Sequence, residues 1–172
     1  FFNFFPYTAI GVGNHDIEAG IDAFSRAYRQ AGMPVVCANV VEKESGKPYF
    51  TPYIIINKRG LKIAILGLLT PYVSTWVAEH LRPGLVFLPV EKAAEEWMAV
   101  IKKNENPDII IGLIHTGADG GMEGPLGFEN AALWIARNVP GFHLICYGHD
   151  HRPHAGYVLN SRKDTVWLLN AG

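Results

Sequence analysis

The chain predicts an α/β fold, or an α+β fold built as a layered sandwich, and three observations carry that expectation. Apolar strand-like runs alternate along the chain with segments of helical periodicity. One run, Leu61 to Leu69, is apolar at both alternating positions, as in a sheet covered on both faces. Three of the runs lead directly into polar loops that carry histidine.

Length and composition set the frame. The 172 residues suffice for one domain with a sizeable core. Hydrophobic residues make up 49% and charged residues 18%, which is the balance of a globular chain and not of a disordered one. A net charge of -1 argues against a broad electrostatic footprint for a nucleic acid polymer or an anionic membrane. No apolar stretch approaches the ~20 residues of a membrane span. Cys37 and Cys146 both sit inside apolar runs. One disulfide is conceivable, and two buried thiols fit that setting better. The opening Phe1-Phe2-Asn3-Phe4-Phe5-Pro6 lacks the basic start and the small-residue cleavage site of a signal peptide. The chain has no initiator Met and begins in mid-pattern, so it reads as truncated at both ends and leaves the compartment open.

The elements follow in order. Tyr7 to Val12 reads as a short strand broken at Gly13, followed by a polar turn over Asn14 to Asp16. Ile21, Phe24, Ala27 and Tyr28 recur at helical spacing within a helix from about Glu18 to Ala31, which Gly32 stops. Pro34 to Val41 reads as one buried strand. Tyr53 to Ile56, a turn over Asn57 to Gly60, and Leu61 to Leu69 form a hairpin. Pro71 to His80 is a loop or short helix. Pro89 suits a first helical position, and Glu91 to Lys103 places acids early and Lys102 and Lys103 late, matching the helix dipole. Asp108 to Ile114 is an all-apolar strand ending at His115, and the glycine-rich run Thr116 to Gly127 is a loop. A helix over Phe128 to Asn138, a strand over Phe142 to Tyr147 and a last hairpin of Tyr157 to Leu159 with Thr165 to Leu169 complete the chain. No repeat or linker divides it.

The candidate chemistry lies at three strand ends: Gly13-Asn14-His15-Asp16, His115-Thr116-Gly117 and Gly148-His149-Asp150-His151. Ligands of α/β sheets collect beyond the carboxyl ends of strands, so these histidines are placed to converge although they lie up to 136 positions apart. Convergent neutral imidazoles suit zinc, iron and similar ions. The amide oxygen of Asn14 is a plausible further ligand. The spacing of His149 and His151 puts both rings on one side of an extended segment. A single histidine after a strand is ordinarily structural; three such segments together favour a metal site. His80 reads as a solvated helix residue, His143 as structural and His154 as rim. Trp97 and Trp134 fit helix packing.

The three motifs, in this order, resemble those of the calcineurin-like metallophosphoesterases, and the connecting sequence is most similar to the 5'-nucleotidase and 2',3'-cyclic-nucleotide 2'-phosphodiesterase branch. Supporting features are Lys62 to Pro71, Glu129-Asn130-Ala131, Pro140-Gly141 and the closing Asn170-Ala171-Gly172. The resemblance covers essentially the whole chain. It implies a four-layer α/β/β/α sandwich around two divalent metal ions, of the Zn, Mn or Fe kind. It implies Asn14, His115 and His149 on one ion and His151 on the other. It makes His15 the catalytic histidine, oriented by Glu18 where the branch usually has Asp. The implied activity is hydrolysis of a small phosphate ester, most directly a nucleotide or cyclic nucleotide. Alternatives on the same site are nucleotide sugars, dinucleotides or sulfur-containing substrates, and a scaffold that has lost its ligands is the non-catalytic alternative. Relatives of the branch are usually exported, so by analogy the resemblance implies the periplasm or cell surface, with the cytoplasm as the alternative. The family begins with Asp-x-His and Gly-Asp motifs that nothing before Gly13 replaces. Residues 1–172 are therefore expected to be part of a catalytic domain, without those motifs and without the C-terminal nucleotide-binding domain.

Overall fold

The computed structural model of the chain describes residues 7–172; the reading of Phe1 to Pro6 lies outside the described residues. The order is β1 (Ile10–Gly11), α1 (Asn14–Glu18), α2 (Ile21–Ala31), β2 (Val35–Val36), β3 (Val40–Glu42), β4 (Tyr53–Lys58), β5 (Leu61–Leu69), α3 (Val73–Trp76), β6 (Leu85–Phe87), α4 (Val90–Asn104), β7 (Ile109–His115), β8 (Glu123–Gly124), β9 (Gly127–Phe128), α5 (Ala132–Asn138), β10 (Leu144–Tyr147), β11 (His154–Leu159) and β12 (Thr165–Asn170). A 3-10 turn at Glu79–Leu81 lies between α3 and β6.

Six strands form the main sheet in the order β11-β12-β10-β7-β5-β4. The four central strands run parallel, and the two edges are antiparallel hairpin arms. The β4–β5 hairpin closes through Arg59 and Gly60, both at positive φ (52° and 81°), as a two-residue turn matched to strand twist requires. Parity along β5 then sorts the core. Ala64, Leu66 and Leu68 join Ile110 and Ile114 of β7 under α4 and α5. Leu69 faces the other way, into a second core with Val12, Ile17, Ile21, Phe24 and Val40.

That second face meets a small parallel pair, β1–β2, which rests on β5 and β7. Helices α4 and α5, the main sheet, the β1–β2 pair and the helices α1–α2 stack in the expected α/β/β/α order, with a thin second layer. It stops at β7, and the same face of β11 and β12 is exposed at Tyr157, Leu159, Trp167 and Leu169.

Several boundaries differ from the sequence reading. The first strand shrinks to Ile10–Gly11, because only those residues pair, with Val35 and Val36. Asn14 to Asp16 is helical and not a plain turn: Asp16 Oδ2 accepts the Gly13 N–H at 2.8 Å and caps the first turn. Gly20, at φ 94°, separates this turn from α2, so the longer helix begins at Ile21. The strand read over Pro34 to Val41 is split at Asn39. This buried side chain donates to the carbonyls of Leu69 and Leu88 at 2.6 and 2.9 Å and accepts the Leu69 N–H at 2.9 Å. It thereby stands in for a strand partner while the chain passes from β1's sheet to a ribbon with β6, a strand the sequence reading did not contain. Helix α5 begins at Ala132 because Gly127–Phe128 pairs with Glu123–Gly124 inside the glycine-rich loop. Cys37 and Cys146 are both free thiols, and burial pushes Cys37 up to about 12.

The two sheets approach tightly at Gly67, where an added Cβ would lie 2.1 Å from the Val36 carbonyl oxygen. Gly67→Ala is therefore expected to destabilise the chain by about 3 kcal/mol, the upper end for an overpacked core. Urea unfolding of the variant at pH 7 measures this; an unchanged midpoint would mean that the layers can part at no cost.

Candidate metal centre

Three strands deliver the site. β1 ends at Gly11, Gly13 caps the helix that follows, and α1 opens with Asn14, which is buried, and His15, whose side chain is 70% exposed. β7 ends in His115, paired in register with Leu69 and turned toward the second layer. An added Cβ on Gly13 would lie 3.1 Å from the His115 ring, so glycine is what lets α1 approach this closely. β10 ends at Tyr147, and Gly148 leads into His149 and His151, both in the left-handed region at φ 83° and 53°.

Asn14, His115 and His149 come together. Asn14 Oδ1 lies 2.9 Å from His115 Nε2 and 3.3 Å from His149 Nδ1. The two rings are 5.4 Å apart at 67°. Donors bound to one tetrahedral ion at about 2.0–2.1 Å are separated by roughly 3.4 Å. The observed spacings are therefore near those of a shared ion, and the donor chemistry, two imidazoles and an amide oxygen, suits a divalent cation. Among the described residues, no group of three His, Cys, Asp or Glu side chains gathers to hold one; the cluster here is two imidazoles and an amide.

Burial, reinforced by the charges of His149, His15 and His151, pulls His115 down to about 4. The ring is therefore neutral at pH 7, the form able to bind a metal. His15 stands beside the triad and not in it: its Nδ1 is 2.8 Å from Glu18 Oε2, one turn further along α1. Glu18 also accepts from Asn14 Nδ2 at 3.4 Å. His151 is exposed at the mouth of the loop, near enough for its charge to act on His115.

The other histidines lie apart. His143 Nδ1 accepts the Ile110 N–H at 3.1 Å and has a structural role. His154 is exposed at the start of β11, and His80 is exposed in the 3-10 turn. Trp97 and Trp134 pack beside the core against Tyr53 and Phe128.

Three residues at the site were missed as site residues. Glu129 Oε1 is 3.2 Å from His149 Nε2. The indole of Trp76 stacks on the same imidazole at 5.4 Å and 23°. Asp150 braces the loop between its two histidines, accepting from Ala118 N at 2.9 Å and from Asn170 Nδ2 at 2.7 Å. Glu129 precedes a helix and Asp150 sits between two histidines, so their acidity was the available signal. Trp76 offered none beyond being aromatic.

Comparison with known proteins gives a consistent result. The chain is 30% identical to a 2',3'-cyclic-nucleotide 2'-phosphodiesterase/3'-nucleotidase from Haemophilus influenzae, over 95% of the chain and 26% of that protein. It is 33% identical to a 5'-nucleotidase from Vibrio cholerae, over 86% of the chain and 27% of that protein. Among solved structures it superimposes on the calcineurin-like phosphoesterase YfkN from Bacillus subtilis with a TM-score of 0.76 at 26% identity, covering 96% of the chain and 55% of that one. No family model matches. The chain thus spans about a quarter of the length of these two curated relatives.

The His115 shift carries a sign that can be checked in the metal-free chain. An unfolded histidine takes up its proton near 6.5, whereas the folded ring resists until about 4. The unfolded state binds more protons across that window, so the contribution is complete above pH 6.5 and is lost as pH falls toward 4. The loss is on the order of 3 kcal/mol. Urea unfolding at pH 7 and pH 4.5 should show a steeper decline for the wild type than for His115→Gln; equal declines would place the acid sensitivity elsewhere.

Proposed function

We propose that this chain, a homologue of the 5'-nucleotidases and 2',3'-cyclic-nucleotide phosphodiesterases among the calcineurin-like metallophosphoesterases, carries part of the active site of an enzyme that hydrolyses small phosphate esters, with nucleotides as the substrate class. One observation carries the reading: a single buried amide oxygen, Asn14 Oδ1, lies within 3.3 Å of imidazole nitrogens from two other strand ends. Imidazole nitrogens and an amide oxygen gathered at this spacing make a donor set suited to a divalent cation.

Asn14, His115 and His149 would hold one divalent ion, and His151 would contribute to a second. The donor set fits the first ion. For the second, the described residues offer His151 alone, so its remaining ligands would have to come from outside them. Bound divalent ions supply charge neutralisation at the phosphate and a water of lowered pKa.

The chain's own residues divide the remaining work. Asn14 and the two partly buried imidazoles fix where the phosphate can sit. His15 projects from the same turn toward solvent, the side from which an ester must enter. Its Nδ1 is engaged by Glu18, which leaves Nε2 to face the substrate. With Nδ1–H donating to the carboxylate, the tautomer and the ring plane are fixed. His15 can then hydrogen-bond a phosphoryl oxygen or give a proton to the departing ester oxygen. Glu in place of the more usual Asp still closes this contact at 2.8 Å. Export to the periplasm or cell surface accompanies this proposal by analogy. Among the described residues no helix is long and apolar enough to cross a membrane.

In an active protein that contains this chain, His15→Ala is expected to lower kcat by about 10²–10⁴, the usual range for a positioned acid or base, with metal content unchanged. Steady-state assays with a nucleoside 2',3'-cyclic phosphate and a nucleoside 5'-monophosphate, alongside elemental analysis, test this. Parallel loss of metal and activity would make His15 a ligand and overturn the assignment.

A further inference from the structure

His149 is held from two directions by side chains that the proposed reaction does not use. Along its edge, Nε2 meets Glu129 Oε1 at 3.2 Å. Across its face, the ring stacks on Trp76 at 5.4 Å between centroids and 23° between planes. The remaining ring nitrogen, Nδ1, faces Asn14 Oδ1 at 3.3 Å. We infer that Glu129 and Trp76 form a two-sided clamp that fixes the tautomer and the plane of His149, so that Nδ1 is the nitrogen offered to a divalent cation. The inference rests on the metal reading above and specifies how one ligand is set for it.

The chemistry follows from the imidazole. A neutral ring carries one N–H, and whichever nitrogen holds it cannot bind an ion. Asn14 Oδ1 at Nδ1 and Glu129 Oε1 at Nε2 can both only accept, and the ionised carboxylate is the stronger acceptor of the two. Glu129 therefore keeps the single ring proton on Nε2 and the lone pair on Nδ1. The backbone does little to orient this ring: His149 follows Gly148 in a loop, at φ 83°. An unrestrained ring would have to be ordered at the moment of binding, at a cost in affinity. Stacking removes that freedom beforehand.

Both jaws are themselves anchored. Glu129 Oε2 accepts the Met122 N–H at 2.8 Å, and its backbone N–H donates to the Met122 carbonyl at 2.8 Å. The carboxylate therefore cannot swing away without opening the glycine-rich loop, and its side chain is only 16% exposed. Trp76 is carried by α3 next to Tyr72, with ring centroids 6.3 Å apart. It keeps 40% of its surface exposed. A core-filling role does not account for an indole in that position, whereas a cover over a ligand does.

The positioning role separates from simple loop bracing by experiment on the 172-residue chain. In the metal-free protein, 15N NMR of the imidazoles is expected to show His149 with its proton on Nε2. In Glu129→Gln, the Gln oxygen keeps the Met122 contact and its amide N–H turns to Nε2, so the ring proton moves to Nδ1 while the melting temperature is unchanged. Calorimetric titration with Co²⁺ alone should then show affinity weakened at least about 10-fold, as loss of a ligand's outer partner does. Trp76→Ala should weaken Co²⁺ binding in the same direction, and Trp76→Phe should restore most of it. Wild-type affinity in both Glu129→Gln and Trp76→Ala, or a His149 proton found on Nδ1 in the wild type, overturns the clamp. So does a Glu129→Gln variant that loses melting temperature and affinity together, or a Trp76→Phe variant no better than Trp76→Ala. A wild-type chain that binds no Co²⁺ despite the expected tautomer overturns the metal reading instead, and the clamp's purpose with it.

Discussion

The spacing between the two sheet layers is the constraint on which the rest of the molecule depends. It is set where side chains are absent. At Gly67 the Val36 carbonyl occupies the volume a Cβ would need, and at Gly13 the His115 ring lies 3.1 Å from where one would stand, a tight contact. These two contacts bring β1 down onto β7 closely enough for an amide at the start of α1 to reach an imidazole at the end of β7. Asn14 and His115 are 101 positions apart, and the hydrogen bond between them at 2.9 Å exists only because of that approach. Apolar packing on either side of the layers, by Leu66 and Ile114 on one face and Leu69 and Ile17 on the other, holds the spacing but does not define it.

The fold of the main sheet was largely legible in the sequence because it is written in local signals. The β4–β5 hairpin, the parallel strands at β7 and β10, α4 with its flanking proline and the closing hairpin are all close to where periodicity and turn chemistry put them. The second layer was not legible in the same way. A two-residue strand such as β1 or β2 has no period, and the break at Asn39 depends on carbonyls of Leu69 and Leu88 that are 30 and 49 positions away. The first turn of α1 also escaped notice, since a five-residue helix shows too little periodicity and its cap is an Asp three residues on.

The same distinction holds at the site. Residues that carry metal-type chemistry are rare and conspicuous, so Asn14, His15, His115, His149 and His151 could be named from residue type and strand-end position. Glu18 came from resemblance, and its contact with His15 is short. The residues that orient ligands are common ones. Glu129 is one of 16 acidic residues and Trp76 one of four tryptophans. Nothing local marks either, because their position depends on a loop closing over 20 residues and on a short helix after β5.

Exposure divides the cluster into two kinds of group, and the division has a physical cause. Asn14, His115 and His149 lie where the layers meet, and desolvation keeps His115 neutral there. His15 and His151 lie outside that zone, in solvent. A group that holds a cation through many turnovers benefits from a low-dielectric setting and fixed partners, since each attraction is stronger and less is reorganised on binding. A group that must meet a substrate and exchange a proton has to be reachable. One turn of helix separates the two demands: Asn14 points into the protein and His15 out of it, both tethered by the same Glu18 carboxylate. The cap that Asp16 places on that turn is therefore as much a part of the site as the side chains that face the ligand, because it sets the two adjacent residues on opposite sides of the protein surface.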